Sequence, residues 1–233
     1  MKNPDENAKA GAEQMNLIKQ MSAWQREEKL DNYKELNRFA KPGQILFVGS
    51  SLAEQFPVNE LLNSYDKRYI VYNRGIGGDI ISGLLGSMNE RIFDLQPSKI
   101  FINIGTNDIN EPDFTEGDLL ENYNRVLKQI IQKLPETKIY ILSYYPVNTN
   151  IESRIPEEVS KTMFVRRTNS VINQLNRRLE NLANELHCTY IDVHSILLDA
   201  EGNLDQKYTV EGIHLKPNAY EVILKVLVAY FEY

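Results

Sequence analysis

Serine, histidine and carboxylate residues that suit an acyl-transfer reaction are spread along this chain. Ser51 follows the apolar run Ile45–Val48, and Glu211 precedes His214 by three residues near the C-terminus. A serine hydroxyl becomes a nucleophile when a base takes its proton and a third group orients that base. His214 can be the base, and Glu211 can hold its imidazole in the required tautomer. These residues predict nucleophilic catalysis by serine.

Acyl transfer also requires hydrogen-bond donors for the oxyanion that develops on the carbonyl oxygen. Gly78 ends the cluster Gly75-Ile76-Gly77-Gly78, and Asn107 lies within Gly105-Thr106-Asn107-Asp108. Glycine allows the backbone to approach a ligand closely. We therefore expect an oxyanion hole made of the backbone N–H groups of Ser51 and Gly78 and the side-chain amide of Asn107.

The elements that must position these residues alternate between strand and helix. Five short, nearly continuous apolar runs read as strands buried on both faces; they are Ile45–Val48, Tyr69–Tyr72, Ile100–Ile104, Ile139–Leu142 and Tyr190–Val193. Helical patterns follow them at Ala53–Asn63, Ile80–Phe93, Leu119–Leu134, Val165–Leu186 and Pro217–Tyr230. This alternation predicts an α/β fold, a three-layer α/β/α sandwich with a five-stranded parallel sheet of flavodoxin-like type.

The strand order 2-1-3-4-5 of that fold determines where the site must lie. Its topological switch point falls between the first and third strands, and ligands bind there, outside the carboxyl ends of the strands. Ser51 and Asn107 follow those two strands in the sequence. We therefore expect the two residues to face each other across one crevice.

The first forty residues precede the alternating pattern. A helix is predicted from about Ala12 to Phe39, because apolar residues recur at helical spacing among charged ones; they are Met15, Ile18, Met21, Trp24, Leu30, Tyr33 and Leu36. An amphipathic helix packed on the outside of the domain is favoured over a coiled coil. We expect residues 1–40 to be an N-terminal helical extension and residues 41–233 to be one α/β domain.

Composition limits the classes of partner. The formal net charge of −6 argues against a nucleic-acid surface, and no apolar run is long enough to span a bilayer. A single cysteine, Cys188, excludes an internal disulfide framework. The polar N-terminus lacks the apolar core of a signal peptide, so a cytoplasmic location is the default expectation, with secretion open if a leader has been removed. No cofactor or metal is expected.

Four blocks, around Ser51, Gly78, Asn107 and His214, resemble in order and spacing those of the SGNH (GDSL-type) hydrolases, which are esterases and acylhydrolases of flavodoxin-like fold. The resemblance covers nearly the whole chain after Gly43. It implies that Ser51 is the nucleophile, that Gly78 and Asn107 serve the oxyanion hole and that His214 is the base. The segment from 101 to 108 is similar to the bacterial branch that resembles platelet-activating-factor acetylhydrolase.

The chain departs from the family pattern in two places. The usual Gly-Asp-Ser is Gly49-Ser50-Ser51 here, and the middle residue belongs to no triad. The usual Asp-x-x-His is Glu211-x-x-His214. Glutamate reaches one methylene further than aspartate, so its carboxylate either orients His214 from a new position or leaves that task to a backbone carbonyl.

Structural interpretations compete with the catalytic ones. Ser50 and Ser51 suit a helix N-cap. The glycine cluster is not a dinucleotide fingerprint, because Ile80 stands where a third glycine is needed. Asp79 and Asp108 are expected to accept hydrogen bonds from loop N–H groups, with Asp108 near enough to position Asn107.

Two other groups of polar residues have side chains that could form a metal site or a substrate-binding surface. His187, Asp192 and His194 have the side chains of metal ligands, but their spacing matches no standard site. The segment from 146 to 168 follows the fourth strand and would hang over the same rim. Its basic residues are Arg154, Lys161, Arg166 and Arg167. They suit a partial lid over the site, but a solvated loop followed by the first turn of a helix is the favoured interpretation.

The sequence thus predicts a serine esterase that removes a short acyl group, such as acetyl, from the alcohol of a small-molecule, carbohydrate or lysophospholipid ester. A binding module that holds a glycan or lipid on the same scaffold is the alternative, and hydrolysis of a phosphodiester or thioester is a third. The sequence identifies neither the alcohol nor the oligomeric state. In a homo-oligomer, the long N-terminal helix would be the expected contact surface.

Overall fold

A five-stranded parallel sheet forms the centre of the computed structural model, which describes residues 4–66, 68–151 and 155–232. The strand order is β2-β1-β3-β4-β5, and every neighbouring pair is parallel. The strands are β1 (Ile45–Gly49), β2 (Val71–Gly75), β3 (Lys99–Asn103), β4 (Lys138–Leu142) and β5 (Thr189–Ile191). The predicted α/β class, strand order and parallel sheet are confirmed.

Helices cover both faces of the sheet. They are α1 (Pro4–Asn37), α2 (Ser51–Glu54), α3 (Val58–Leu62), α4 (Ile81–Leu85), α5 (Met88–Arg91), α6 (Glu116–Lys133), α7 (Glu157–Met163), α8 (Asn169–Glu185) and α9 (Pro217–Leu227). A short 3-10 turn at Asp108–Asn110 lies between β3 and α6. No helix among the described residues is both long and apolar enough to cross a membrane.

Alternate side chains of β1 show how the three layers are held together. Leu46 and Val48 enter a core shared with α4, α6 and α8, whereas Ile45 and Phe47 enter a second core shared with α2, α3 and α9. All four side chains are buried. Successive side chains of a strand point to opposite faces, so a continuous apolar run is what a strand covered on both sides needs.

Some predicted boundaries were wrong. The second strand lies at 71–75 and not at 69–72. The helix predicted at 53–63 is two short helices separated at Pro57, whose ring removes a backbone donor. The helix predicted at 80–93 is likewise broken, after Gly86. The apolar periodicity correctly predicted helical segments in both regions but did not predict where they are interrupted.

The N-terminal helix α1 is attached to the domain mainly by polar groups. The Tyr33 hydroxyl donates to the Gly75 carbonyl at 2.5 Å, and Asn37 Nδ2 donates to the Glu90 carbonyl at 2.7 Å. Met21 and Trp24 are exposed, as is Leu36, so the expected apolar packing face was wrong for these residues. The predicted face also included residues 15 and 18, whose side chains lie outside the described part of the chain.

Candidate active site

Ser51 is the first residue of α2, immediately after the carboxyl end of β1. Gly49 makes this turn possible, because a Cβ on that residue would lie 2.0 Å from the Asn103 carbonyl oxygen. Ser50 is the N-cap residue of α2, but its side chain makes no capping hydrogen bond. The capping interpretation of the serine pair is therefore not supported.

The histidine near the C-terminus lies against the serine. His214 Nε2 is 3.1 Å from Ser51 Oγ, and His214 Nδ1 is 2.5 Å from Glu211 Oε1. With the hydrogen on Nδ1 donated to the carboxylate, Nε2 is left as an acceptor for the serine hydroxyl. The longer glutamate arm thus reaches the imidazole, and no backbone carbonyl takes its place.

A compact base loop (residues 209–214) brings the carboxylate and the imidazole together. The Thr209 hydroxyl accepts from the Gly212 N–H at 2.8 Å and donates to the His214 carbonyl at 2.8 Å. Gly212 has a φ of +98°, and a Cβ there would lie 2.0 Å from the Asn148 carbonyl oxygen. Only glycine fits this position, so the turn is fixed both by its own hydrogen bonds and by its neighbour.

Hydrogen bonding keeps Glu211 ionised. Burial alone would raise the pKa of this carboxyl, which is 6% exposed. The hydrogen bonds from the His214 ring and backbone N–H outweigh burial and lower the pKa below its usual value. The site therefore holds a carboxylate, which can orient the ring and stabilise its cationic form.

The glycine loop (residues 75–79) lies beside the serine. A Cβ built on Gly77 would come within 3.9 Å of Ser51 Cβ. Gly78 has a φ of +73° and is exposed, and nothing lies within 4 Å of a Cβ placed on it. The backbone at Gly78 is thus open to a ligand, as its predicted role requires.

Asn107 is held from both ends of its amide. Its Nδ2 donates to the Asp79 carbonyl at 2.9 Å, and its Oδ1 accepts from Arg167 Nη2 at 2.9 Å. A guanidinium only donates hydrogen bonds, so the oxygen must face Arg167 and the NH₂ must face the glycine loop. One N–H of that NH₂ then remains for an oxyanion.

Arg167 is a residue whose place sequence reasoning missed. The sequence favours a solvated segment for it, but Arg167 is 6% exposed, and its guanidinium also donates to the Thr106 carbonyl at 3.1 and 2.9 Å. Burial lowers the pKa of Arg167 to about 10, with the Glu211 carboxylate acting in the opposite direction, so it stays a cation at neutral pH. The sequence signal was weak, because nearby basic residues such as Arg166 are exposed. Arg154 lies outside the described residues.

Asp79 has a different set of partners from the one expected. Its carboxylate accepts from Arg26 Nε at 3.1 Å and forms a buried ion pair with Arg91, so the expectation that it binds loop N–H groups was wrong. Arg91 also donates to the Gly49 carbonyl at 2.6 Å and to the Arg74 carbonyl at 2.9 Å. Asp79 therefore links the glycine loop to α1, α5 and the end of β1.

Asp108 accepts from the Ile81 N–H at 3.2 Å through both oxygens, and so holds the start of α4. Its expected role as a loop acceptor matches this contact, whereas Asn107 is held by other groups. Burial raises the pKa of Asp108 to about 7, against the effect of the Ile81 hydrogen bond. The carboxyl group thus titrates near neutrality.

His194 and Asp192, just after β5, make structural contacts. His194 Nδ1 lies 2.9 Å from the Tyr144 carbonyl, and the Asp192 carboxylate accepts from the His194 and Ser195 N–H groups. Among the described residues, no group of three histidine, cysteine, aspartate or glutamate side chains converges in a way that could hold a metal ion.

A family comparison agrees with this geometry. The sequence profile of the GDSL-like lipase/acylhydrolase family matches residues 47–222, which is more than half of the chain. The chain belongs to this family. The matched region begins just before Ser51 and ends after His214, so it contains every residue of the candidate site described in this section except Arg26.

Two relatives are similar over most of the chain. An Escherichia coli N-acylneuraminate cytidylyltransferase is 28% identical over 205 residues, covering 84% of this chain and 44% of its own. The chain therefore spans less than half the length of that relative. The alpha2 subunit of the rat platelet-activating factor acetylhydrolase IB is 24% identical over 198 residues, covering 82% of this chain and 79% of the relative.

A solved structure from Streptococcus pneumoniae, of a protein provisionally named a platelet activating factor, is also similar. It has a TM-score of 0.84 and 29% sequence identity, and the match covers 94% of this chain and 99% of that one. The family to which the chain belongs, GDSL-like lipase/acylhydrolase, is one of ester-cleaving hydrolases.

Proposed function

We propose that the protein is a serine esterase that removes a short acyl group, such as acetyl, from an alcohol. Ser51 is the nucleophile, His214 the general base and Glu211 the group that orients the base. The observation that carries the proposal is the continuous chain of contacts from Ser51 Oγ to His214 Nε2 at 3.1 Å and from His214 Nδ1 to Glu211 Oε1 at 2.5 Å. These are the distances at which proton transfer and orientation operate.

In the first half-reaction, Ser51 Oγ attacks the ester carbonyl carbon while its proton passes to His214 Nε2. The carbonyl electron pair moves onto the oxygen, which becomes the oxyanion. When it returns, the bond to the alcohol oxygen breaks, and His214 gives its proton to that leaving oxygen. In the second half-reaction, water attacks the acyl carbon while His214 takes its proton. The bond to Ser51 Oγ then breaks, His214 returns the proton to Oγ, and the acid is released.

The backbone N–H groups of Ser51 and Gly78 and the Asn107 amide are proposed as the donors to this oxyanion. The open backbone of Gly78 and the fixed orientation of Asn107 Nδ2 support the assignment. A well-placed donor of this kind contributes about 3 kcal/mol to stabilisation of the transition state.

A short acyl group is proposed because the surface beside Gly78 carries mainly polar side chains and glycines. A long alkyl chain would need an apolar surface to leave water. The name of the rat relative, an acetylhydrolase, supports acetyl. The alcohol is proposed to belong to a carbohydrate or lysophospholipid.

The test is labelling with a fluorophosphonate probe together with hydrolysis of p-nitrophenyl acetate. Ser51→Ala should abolish labelling and lower turnover by at least about a thousandfold, because the nucleophile is lost. Ser50→Ala is the matched control: Ser50 is 1% exposed, and its hydroxyl has no hydrogen-bond partner among the described residues. Unchanged labelling and hydrolysis in Ser51→Ala would overturn the proposal, and an unlabelled wild-type protein would favour a binding module.

A further inference from the structure

A cleft of about 610 Å³ opens beside the glycine loop, with α1 as its opposite wall. Ser22 and Gln25 lie on that wall, and Gly77 and Gly78 line the other side. Because a Cβ on Gly77 would come within 3.9 Å of Ser51 Cβ, the cleft adjoins the proposed nucleophile. A group bound to the reacting carbonyl can therefore extend directly into it.

The size of the cleft indicates which part of the ester it would hold. Its volume is in the range of sites that enclose a whole small molecule, far more than an acetyl group fills. The cavity lined by Leu52, Arg167 and Ile213 has a volume of only about 10 Å³, room for one water at most. If the acyl group is short, the cleft beside the glycine loop is the place for the alcohol.

The charged side chains in the cleft wall already have partners. Arg26 donates to Asp79 at 3.1 Å and to the Gly83 carbonyl at 2.5 Å, and Lys29 Nζ is 2.6 Å from Glu54 Oε1. A phosphate in the cleft would have to compete with these carboxylates for the cations. The exposed Glu111 on the rim would repel it further.

Neutral hydrogen-bonding groups remain open on both walls. Ser22 and Gln25 of α1 and Ser82 of α4 are exposed to the cleft, and together they offer two hydroxyls and an amide. Apolar and polar groups contribute about equally to the cleft surface, and the apolar side chains are Ala23, Ile76 and Ile80. Such a mixed surface exchanges hydrogen bonds with hydroxyl groups and packs against the C–H faces of a ring, and a sugar presents both.

We propose that this cleft binds the alcohol part of the ester, and that this part is an uncharged, hydroxyl-rich alcohol of about monosaccharide size. The proposal rests on the proposed esterase function and narrows its substrate to carbohydrate esters. It also gives α1 a role in substrate binding, as the wall that carries Ser22 and Gln25.

The experiment compares three acetyl esters: an O-acetylated methyl glucoside, an acetylated choline lysophospholipid and p-nitrophenyl acetate, which has no hydroxyl groups. The test variant is Ser22→Ala/Gln25→Leu, and the control is Gln20→Leu, an exposed glutamine on the same helix that does not line the cleft. In the test variant, KM for the glucoside should rise about tenfold with kcat unchanged, because the lost contacts are made equally in the bound substrate and the transition state. The other two esters should be unaffected.

A second variant blocks the cleft by filling it. Ala23→Phe places a ring in the cleft without removing a polar contact, and should reduce kcat/KM for the glucoside at least tenfold, and by more than for p-nitrophenyl acetate, whose alcohol part has no hydroxyl groups to seat there. An unchanged KM for the glucoside in both variants would overturn the subsite, as would a larger loss for the lysophospholipid. Failure of the wild-type protein to cleave any of the three esters would overturn the esterase proposal itself, and the subsite with it.

Discussion

The two sides of Ser51 are built in opposite ways. On the base side, Glu211 and His214 belong to one six-residue loop closed by its own hydrogen bonds. On the side proposed for the oxyanion, Gly78 and Asn107 lie in separate loops held by three arginines from distant parts of the chain. The base side is a local motif, whereas the oxyanion side depends on the assembled fold.

This difference indicates which substitutions should affect catalysis most. A change in the base loop should affect chemistry directly, since each of its groups touches the next. A change among the arginines should act through a backbone carbonyl or an amide that it orients. Effects on the base side are therefore expected to be larger and more specific.

The largest effect in this comparison is expected for Glu211→Gln. The amide keeps the size of the side chain but removes the charge that orients and stabilises the His214 ring, so kcat should fall on the order of a thousandfold. Hydrolysis of p-nitrophenyl acetate measures this, with Glu201→Gln, an exposed glutamate, as the control. A rate within twofold of wild type would remove Glu211 from the mechanism.

Asn107→Ala should have the next largest effect. Removing one oxyanion donor costs about a hundredfold in kcat with little change in KM, because the contact strengthens only in the transition state. Fluorophosphonate labelling of Ser51 should persist, since the base side is untouched. A higher KM with an unchanged kcat would contradict the oxyanion assignment and would show that Asn107 binds the substrate in its ground state.

Arg167→Lys should have a smaller effect, about tenfold in kcat. Lysine keeps the charge but loses the fork that holds Asn107 Oδ1 and the Thr106 carbonyl at once. The decisive measurement is a double-mutant cycle. In an Asn107→Ala background, Arg167→Lys should cost little further activity, because the amide it positions is gone. Fully additive losses would show that Arg167 supports the fold and does not position Asn107.

The last prediction concerns Asp108→Asn, which should change the pH dependence of stability and not the catalytic rate. Its pKa is raised to about 7 in the folded protein, so the folded state holds the proton more tightly than the unfolded chain does. This contribution is present at low pH and is lost as the pH rises toward and through 7. Between pH 5 and 8, the free energy of unfolding should fall more in wild type than in Asp108→Asn, by about 2 to 3 kcal/mol. Urea unfolding at pH 5 and at pH 8 measures these free energies. An equal fall in wild type and in Asp108→Asn would contradict the raised pKa of Asp108.

The contrast also explains how much could be predicted. Continuous apolar runs predicted the sheet because each strand is buried on both faces, and short spacing predicted the Glu211–His214 pair because its contact is local. The supports of the oxyanion side could not be predicted in this way. Arg26, Arg91 and Arg167 look like ordinary surface cations in the sequence, and only the fold brings them to Asp79 and Asn107.

Ser51 and His214 are separated by 163 positions along the chain, although their side chains are in contact. One leaves the first strand, and the other follows the last strand that joins the sheet. Contacts between such distant segments carry a large loop-closure entropy and form slowly. If His214 activates Ser51 as proposed, the serine should become reactive during refolding only when the C-terminal segment reaches it, and a chain interrupted during synthesis before residue 214 should stay unreactive.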